Sequence, residues 1–315
     1  MSLRPLLYLS LLLTSTQAFA EATHYPLTIQ SCNRQVTFQQ APKHAVSHDI
    51  NMTQMMLALG LKPQMAGYSG VSGWKSVTPE MHGILDGLPE LAAKYPSVET
   101  LLNANVDFFF AGWDYGMRVG GDLTPQTLQP LGINVYELTE SCAFVMKRPP
   151  ATLEDTYNDL RNLGKIFDVQ DRANALISQM QAQIAGIGKK LPAEKPRVFL
   201  YDSGEDRAMT SGRLGMPQAL IAAAGGRNVL DDVEASWTRI NWENVVERNP
   251  QVIVIVDYGE VTAEQKIQFL RDNKALQSVD AIKHQRFVVI PYVQATPGID
   301  NVLAVATLAK GFHGE

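Results

Sequence analysis

Hydrophobic and polar positions follow the periods of helix and strand in turn along the first half of the chain. Met52, Met55, Met56 and Leu59 are spaced three, one and three residues apart, so they share one face of a helix that ends at Gly60. A continuous apolar run at residues 106–111 predicts a strand buried on both faces, as in a parallel sheet. Similar patterns predict further strands at residues 45–47, 64–68, 134–138, 198–201, 252–256 and 287–290, and helices at residues 98–103, 128–131, 216–224 and 301–310. This alternation of strand and helix is typical of α/β lobes.

Residues 152–190 break the alternation because they contain almost no strand signal. They are free of proline and rich in helix formers, and Pro192 and Pro196 follow them. We therefore expect one long helical connector between two α/β halves, which would allow only a small hinge motion. The predicted division is residues 1–20, 21–151, 152–192 and 193–315, with the first segment removed on export.

The first twenty residues have the features of a secretory signal peptide. Arg4 precedes an apolar core at residues 6–13, and Ala18-Phe19-Ala20 offers the small-x-small pattern of a cleavage site. A lipoprotein would need a cysteine at the cleavage point, whereas the first cysteine is Cys32. We expect a free periplasmic protein that begins near Glu21.

Charge and cysteine content narrow the choice of partner and compartment. The formal net charge is −5, and loss of Arg4 with the signal makes it −6. No basic run is present, which argues against nucleic acid or anionic lipid as the main partner. The only two cysteines, Cys32 and Cys142, would meet an oxidising compartment, so we expect a single disulfide between them.

A weak internal repeat links the two halves. Glu99 and Glu243 each begin a helix–strand unit, and the units end in Asp-Tyr-Gly at residues 114–116 and 257–259. If the repeat is real, the two lobes are pseudo-equivalent and each presents a glutamate at the start of a surface helix. A glutamate in that position also simply stabilises the helix through its dipole.

Several short motifs, taken in their order and spacing, resemble one transport family. They are Ala45-Val46-Ser47 leading into Leu57-Ala58-Leu59-Gly60, the unit from Glu99 to Asp107-Phe108-Phe109-Phe110, Arg197-Val198-Phe199-Leu200, Thr210-Ser211-Gly212, Gly225-Gly226-Arg227-Asn228-Val229, and Trp242-Glu243 through Pro250-Gln251-Val252-Ile253-Val254. The chain is similar to the periplasmic binding proteins of cobalamin and iron-siderophore ABC importers over nearly its whole mature length. One departure is Val106, where the family usually has proline before the aspartate.

The resemblance implies a fold and a partner. The fold is α/β, with two Rossmann-like lobes containing parallel sheets and joined by one long rigid α-helix, which is the class III architecture. In this family a glutamate on each lobe docks arginines of the permease dimer, and by motif position these would be Glu99 and Glu243. The repeat agrees, because a two-fold permease needs two similar contacts.

Ligand contacts are expected on the loops that follow the parallel strands, since those loops face the crevice of an α/β sheet. The predicted ligand-binding residues are Asp49, Tyr68, Trp74, Trp113, Tyr115, Arg118, Trp237, Arg239, Tyr258 and Tyr292, and Asp114 and Asp202 lie on the same loops. Aromatic side chains on loops suit flat or bulky ligands, although some could instead cover the cores beneath them. The two arginines could bind carboxylate, catecholate or phosphate oxygens with two hydrogen bonds each.

Other site types have little support in the sequence. The six histidines, at positions 24, 44, 48, 82, 284 and 313, are scattered, so we predict no direct metal site. Ser211 lacks the Gly-x-Ser-x-Gly elbow and no phosphate-binding glycine loop precedes a helix, so we predict no enzyme. A chelate sensor or scavenger without a permease is another possible role for this fold.

The function predicted from the sequence is therefore capture without chemistry. We expect a monomer with no cofactor of its own that binds a ferric siderophore or similar iron chelate and delivers it to an ABC permease dimer. Cobalamin or another corrinoid is the second ligand, and haem the third. Haem ligation would use Tyr68, Tyr115, Tyr258 or Tyr292, which aromatic packing would explain equally well.

Overall fold

Two parallel sheets organise the part of the chain that the computed structural model describes, residues 21–73 and 79–314. The predicted signal peptide and Trp74 lie outside these residues. Each sheet is covered by helices on both faces and forms one lobe, which confirms the α/β fold of two lobes. Within the described ranges, no helix has both the length and the apolarity needed to cross a membrane.

The N-terminal lobe is built on parallel strands in the order β5-β4-β3-β6-β8, with the short β7 beside β6. Its elements are β1 (Leu27–Ser31), β2 (Arg34–Phe38), β3 (Ala45–His48), α1 (Ile50–Ala58), β4 (Met65–Ser69), α2 (Pro79–Leu85), β5 (Glu90–Ala92), α3 (Val98–Asn103), β6 (Phe108–Trp113), β7 (Gly116–Met117), α4 (Pro125–Leu128) and β8 (Asn134–Glu137). All six residues of β6 are buried, as the apolar run predicted.

An antiparallel hairpin at residues 27–38 was not predicted from the sequence. Strands β1 and β2 pair from Leu27–Phe38 to Ser31–Arg34, and the turn between them carries Cys32. The predicted disulfide is confirmed, because Cys32 is bonded to Cys142 with their Cα atoms 5.2 Å apart. The hairpin is thus covalently attached to the segment that follows β8.

The structure divides the predicted connector into two helices, α5 (Leu153–Ile166) and α6 (Gln170–Gly188). The break falls at Asp168, which has a φ of 58° and cannot continue a right-handed helix. No glycine or proline marks this break, so the helix-former pattern did not reveal it. Helix α6 joins the lobes in the expected way. Its first half packs in the N-terminal core through Ala173 and Ile177, and its second half reaches the C-terminal core through Ile184 and Ile187.

The C-terminal lobe has a four-stranded parallel sheet in the order β11-β9-β13-β14. Its elements are β9 (Arg197–Tyr201), β10 (Ala208–Ser211), α7 (Met216–Ala223), β11 (Arg227–Asn228), β12 (Trp237–Ile240), α8 (Trp242–Arg248), β13 (Val252–Asp257), α9 (Ala263–Asp272), α10 (Asp280–Lys283), β14 (Phe287–Pro291), α11 (Tyr292–Ala295) and α12 (Asn301–His313). Helix α12 also contributes to both cores, because Val302 packs in the N-terminal one while Val305 and Leu308 pack in the C-terminal one. The two main sheets lie within residues 21–151 and 193–315, and the exact domain limits stay a prediction.

Candidate functional site

Each sheet has a point where successive connections leave in opposite directions. In the N-terminal sheet this point lies between β3 and β6, and in the C-terminal sheet it lies between β9 and β13. Crevices at such points, outside the carboxyl ends of the strands, are the usual ligand sites of open α/β sheets. Hydrogen bonds join the residues that follow β3 and β6 to Tyr292, which follows β14, and to Trp237 in β12, so the two crevices face a common cleft.

Asp49, which follows β3, lies at the centre of this cleft. It is 3% exposed, and its backbone has φ 68° and ψ 160°, a region that non-glycine residues rarely adopt. One carboxylate oxygen accepts from the Ile50 N–H at 2.6 Å, which caps α1, and the other accepts from the Tyr292 hydroxyl of the opposite lobe at 2.8 Å. The predicted residues Asp49 and Tyr292 are therefore brought together, at a position where the backbone is strained.

A second contact between the lobes involves a buried carboxylate that the sequence analysis did not select. Glu140 accepts from the Tyr115 hydroxyl at 3.3 Å and from the Ser236 hydroxyl of the C-terminal lobe. The Trp237 indole N–H donates to the same Tyr115 oxygen at 2.6 Å. Burial raises the pKa of Glu140 to about 7, against the opposing effects of its hydrogen bond from Ser236 and the charge of Arg148. The predicted residues Tyr115 and Trp237 thus meet across the cleft.

The C-terminal side of the cleft contains a third tyrosine–carboxylate pair. The half-buried Tyr258, after β13, donates to Asp202, after β9, at 2.7 Å, and Ser203 donates to the same oxygen. The rings of Tyr258 and Tyr292 have centroids 5.2 Å apart. Burial raises the pKa of Tyr258, and the charge of Asp202 adds to that rise. Burial likewise raises the pKa of Asp202.

On the N-terminal side, a buried histidine supports an exposed arginine through an aromatic ring. His48 is 2% exposed and its ring lies edge-on to Tyr95, with centroids 5.0 Å apart. The guanidinium of the exposed Arg118 lies 4.9 Å from the centroid of the same Tyr95 ring. Gly116, with φ 98°, allows this arrangement, because a Cβ there would come within 2.6 Å of the His48 ring. Arg118 is therefore held in place at the edge of the cleft, as a ligand-binding cation would need.

Two further predicted residues lie near the cleft. Tyr68 is half-buried and packs with Tyr292 against an apolar cluster that includes Ile50 and Met81. Arg239 is exposed, and its Nη1 atom lies 2.8 Å from the point that a Cβ of Gly204 would occupy, on the C-terminal side.

The prediction for Trp113 needs correction. Strand β6 continues to Trp113, two residues beyond the predicted strand end, so this residue lies in the sheet rather than on a loop. It is 6% exposed and packs in the outer core of the N-terminal lobe. Its indole N–H donates to the buried Glu137 at 2.9 Å, and Glu137 also accepts from Arg34 and Ser31 of the hairpin. Trp113 is therefore a core residue.

Sequence reasoning missed Tyr95, Glu140 and Lys266 as neighbours of the cleft. Tyr95 follows β5, whose Glu-Leu-Ala sequence gives no apolar run to predict a strand. Glu140 meets a serine 96 positions away, which no local pattern could show. Lys266 lies on the inner face of α9, where its Nζ atom is 4.7 Å from the Tyr258 ring centroid, and only the helical period of α9 could have placed it there.

Metal-binding side chains do not converge at this cleft. Across residues 21–73 and 79–314, no three or more histidine, cysteine, aspartate or glutamate side chains form a group that could hold a metal ion. The arrangement offers aromatic faces, hydroxyl–carboxylate pairs and exposed guanidinium groups, which are the means of reversible binding.

Comparison with known proteins agrees with this architecture. The family model for periplasmic binding protein matches residues 46–293, which include both lobes and the residues that follow β3, β6, β9, β13 and β14. This chain belongs to the periplasmic binding protein family. A vitamin B12-binding protein of Yersinia pestis (strain Pestoides F) is 21% identical over 224 residues, which are 69% of this chain and 70% of that protein.

Two solved members of the fold cover almost the whole chain. A periplasmic binding protein from Veillonella parvula superposes with a TM-score of 0.79 at 28% identity, covering 92% of this chain and 98% of its own. An ABC-type Fe3+-hydroxamate transport system protein from Saccharomonospora viridis superposes with a TM-score of 0.77 at 22% identity, covering 92% and 100%. The class III fold is thus established for this periplasmic binding protein.

Proposed function

We propose that this periplasmic binding protein is the solute-binding component of an ABC importer and captures a ferric siderophore or similar iron chelate in the cleft between its lobes. The observation that carries the proposal is the meeting of the two sheet crevices through the Asp49–Tyr292 hydrogen bond of 2.8 Å. A ligand there would touch loops of both lobes at once. Membership of the family and its similarity to an Fe3+-hydroxamate transport protein support the same role.

The chemistry of the cleft walls favours a bulky chelate over a small solute. Arg118 on one lobe and Arg239 on the other are exposed cations that can each bind ligand oxygens with two hydrogen bonds. Tyr258 and Tyr292 offer two aromatic faces between them. Cobalamin is the second candidate, because a vitamin B12-binding protein is 21% identical over 224 residues, 69% of this chain. Haem, with its planar ring, is the third.

Delivery in this proposal needs no chemistry and little internal motion. Helices α6 and α12 each pack into both cores, so a wide rotation of one lobe against the other would expose apolar side chains of both helices. The cleft would instead open by a small adjustment when the permease binds. The permease would then receive the ligand from a binding protein that keeps its overall shape.

Glu99 and Glu243 are the proposed docking residues. Each is exposed in the first turn of a short helix, α3 or α8, and each of those helices leads directly into an interior strand of its sheet, β6 or β13. Within the described parts of the chain, neither carboxylate takes part in an ion pair. Exposed carboxylates in equivalent positions of two lobes are suited to paired arginines of a two-fold partner.

The ligand can be identified by titrating intrinsic tryptophan fluorescence with a ferric hydroxamate, a ferric catecholate, ferric citrate, cobalamin and haem, each with an inner-filter control. Trp237 lies in the cleft, whereas Trp113 and Trp242 are buried in the cores, at 6% and 8% exposure. We expect saturable quenching by one iron chelate in the wild type, and most of that quenching to disappear in Trp237→Phe.

The outcomes separate the candidate ligands. Quenching by cobalamin alone, or by haem alone, would replace the iron chelate with that ligand. If none of the five quenches and calorimetry detects no binding, the proposal that this cleft takes a metal chelate is wrong. Quenching that persists in Trp74→Phe/Trp237→Phe, which lacks both tryptophans predicted to bind ligand outside the cores, would move the site away from this cleft.

Docking is tested by Glu99→Ala/Glu243→Ala in a reconstituted transport assay. We expect transport to be lost while the ligand dissociation constant stays within about twofold of wild type, since both carboxylates are on the outer surface. Glu194→Ala is the matched control, because this exposed glutamate precedes β9 at the opposite edge of the same sheet. A loss of ligand affinity in the double variant would instead give these glutamates a structural role.

A further inference from the structure

A cavity of about 290 Å³ opens at the carboxyl edge of the C-terminal sheet. It lies between the loop that follows β9 and the first turns of α9. Two aromatic rings form its apolar wall, Tyr201 and Phe269, with centroids 6.3 Å apart and planes inclined by 27°. The remaining lining residues are Ser203, Gly204, Glu205, Val261, Gln265 and Lys266.

This cavity adjoins the cleft between the lobes. Lys266, in its wall, places its Nζ atom 4.7 Å from the centroid of the Tyr258 ring, which itself faces Tyr292. Gly204, also in its wall, lies against the guanidinium of Arg239. A ligand that fills the cleft could therefore extend one arm past Tyr258 into the cavity.

The polar group best placed to recognise such an arm is Lys266. Its side chain is buried, with the residue 3% exposed, and Nζ donates to the Val256 carbonyl at 2.6 Å. An ammonium group has three N–H donors, so two remain for other acceptors. Burial lowers the pKa of this amine, and the charges of Asp202 and Asp257 oppose that change. A negatively charged oxygen beside Nζ would favour the charged form further.

The aromatic wall and the cationic wall of the cavity together favour one chemical class of ligand. The rings of Tyr201 and Phe269 suit a flat apolar group, and Lys266 with Arg239 suits an oxygen anion on the side that faces the cleft. The carboxylate of Glu205 is at the solvent-exposed rim, where its charge is screened. A cavity of roughly 150 Å³ holds one benzene ring, so this cavity has room for a substituted ring and its linker.

We propose that this cavity binds a hydroxyaryl arm, of the catecholate or phenolate kind, of the chelate whose metal centre lies between the lobes. The inference rests on the proposed function and specifies the class of chelator. The ring would pack against the Tyr201 and Phe269 side chains that line the cavity, and its oxygens would point back towards Lys266, Arg239 and the metal.

The proposal is tested by a substitution at the rim of the cavity that fills the space expected for the arm. Val261 is 53% exposed, so Val261→Trp should fold normally while its indole occupies the space of the arm. Leu303→Trp, at a site 55% exposed on α12, is the matched control. Binding of a ferric catecholate and of a ferric trihydroxamate without an aromatic ring is measured by calorimetry, with thermal unfolding as the check on folding. Val261→Phe provides a smaller filling group.

We expect the wild type to bind the catecholate complex and Val261→Trp to bind it at least tenfold more weakly, with a smaller loss in Val261→Phe and none in the control. The inference is overturned if filling the cavity leaves catecholate affinity unchanged, or if the wild type binds only the trihydroxamate. In both cases a chelate still binds and the proposed function survives. Absence of binding by any iron chelate, cobalamin or haem would reject the proposed function as well.

Discussion

The two lobes use the same three-residue loop in different ways. Asp114-Tyr115-Gly116 follows β6, and Asp257-Tyr258-Gly259 begins at the last residue of β13, each at the crevice of its sheet. Tyr115 is 5% exposed and its hydroxyl lies between Glu140 and Trp237, so it bonds the N-terminal lobe to the C-terminal one. Tyr258 is half-buried and its hydroxyl bonds Asp202 within its own lobe.

This difference indicates that the two loops have different roles within a pseudo-symmetric fold. The N-terminal loop fixes the distance between the lobes, and the C-terminal loop leaves its aromatic ring available to the cleft. Rigidity should therefore be concentrated on the N-terminal side, where the disulfide and the buried Glu137 and Glu140 also lie. Ligand discrimination should be concentrated on the C-terminal side, beside Tyr258 and its neighbouring cavity.

The largest expected effect comes from removal of the disulfide. Within the described residues, only the N-terminal lobe contains one. Cys32→Ser/Cys142→Ser opens a loop of 110 residues. The chain-entropy relation gives a loss of about 4–5 kcal/mol in the free energy of unfolding. Urea titrations followed by circular dichroism measure this loss, and wild type treated with a reductant is the matched comparison. A change of less than about 1 kcal/mol would show that the hairpin contacts alone hold this lobe.

The second effect is a pH dependence that arises from buried carboxyls of the N-terminal lobe. Burial raises the pKa of Glu140 to about 7, and that of Asp159, which accepts from Tyr136, also to about 7. In the unfolded chain both would titrate near 4. The protonated forms therefore favour the folded state, and this contribution is complete below pH 4 and is lost as the pH rises from about 4 to 7.

The variant Glu140→Gln removes one of the two titrating groups. Because one pKa unit corresponds to about 1.4 kcal/mol, we expect the fall in unfolding free energy between pH 5 and 7 to be smaller by about 2–3 kcal/mol than in wild type. Asp159→Asn removes the other titrating group, which lies outside the contact between the lobes, and should reduce the fall by a similar amount. An unchanged pH profile in Glu140→Gln would show that Glu140 stays ionised in the folded protein.

The smallest effect compares the two tyrosines directly. Tyr115→Phe deprives the Trp237 N–H of its acceptor, and we expect a loss of about 1–3 kcal/mol in stability. Tyr258→Phe leaves Asp202 with its bond from Ser203, so stability should fall by about 0.5–1.5 kcal/mol, while ligand affinity falls by up to about tenfold. Calorimetric binding and urea titrations of both variants measure the two quantities. Equal effects on stability and on affinity in the two variants would contradict the different roles proposed for the two loops.

The sequence predicted the central elements well because their signals are local. The apolar run before Trp113 and the spacing of Met52, Met55 and Met56 follow from backbone geometry alone. Helix α1 lies where expected, and β6 lies within two residues of its predicted bounds. The break between α5 and α6 was missed because Asp168 adopts a left-handed conformation that glycine or asparagine more often marks.

The site was harder to predict because its contacts are distant in sequence. Tyr292 was selected as a loop aromatic, but its bond to Asp49, 243 positions away, depends on how the lobes are arranged. Trp113 was misplaced because β6 ends two residues later than predicted, which makes Trp113 a sheet residue instead of a loop residue. Patterns of local period indicate which loops reach the cleft, and tertiary packing decides which side chains on them face it.

Helix α12 has a consequence for how the chain folds as it is made. Val302 completes the core of the N-terminal lobe, and Asn51 in α1 donates to the Pro297 carbonyl at 2.7 Å. Chains are synthesised from the N-terminus, so the first lobe lacks these partners until almost the last residues emerge. The apolar surface around α1 therefore stays open throughout synthesis, and a chain truncated before Pro297 leaves it permanently exposed to aggregation.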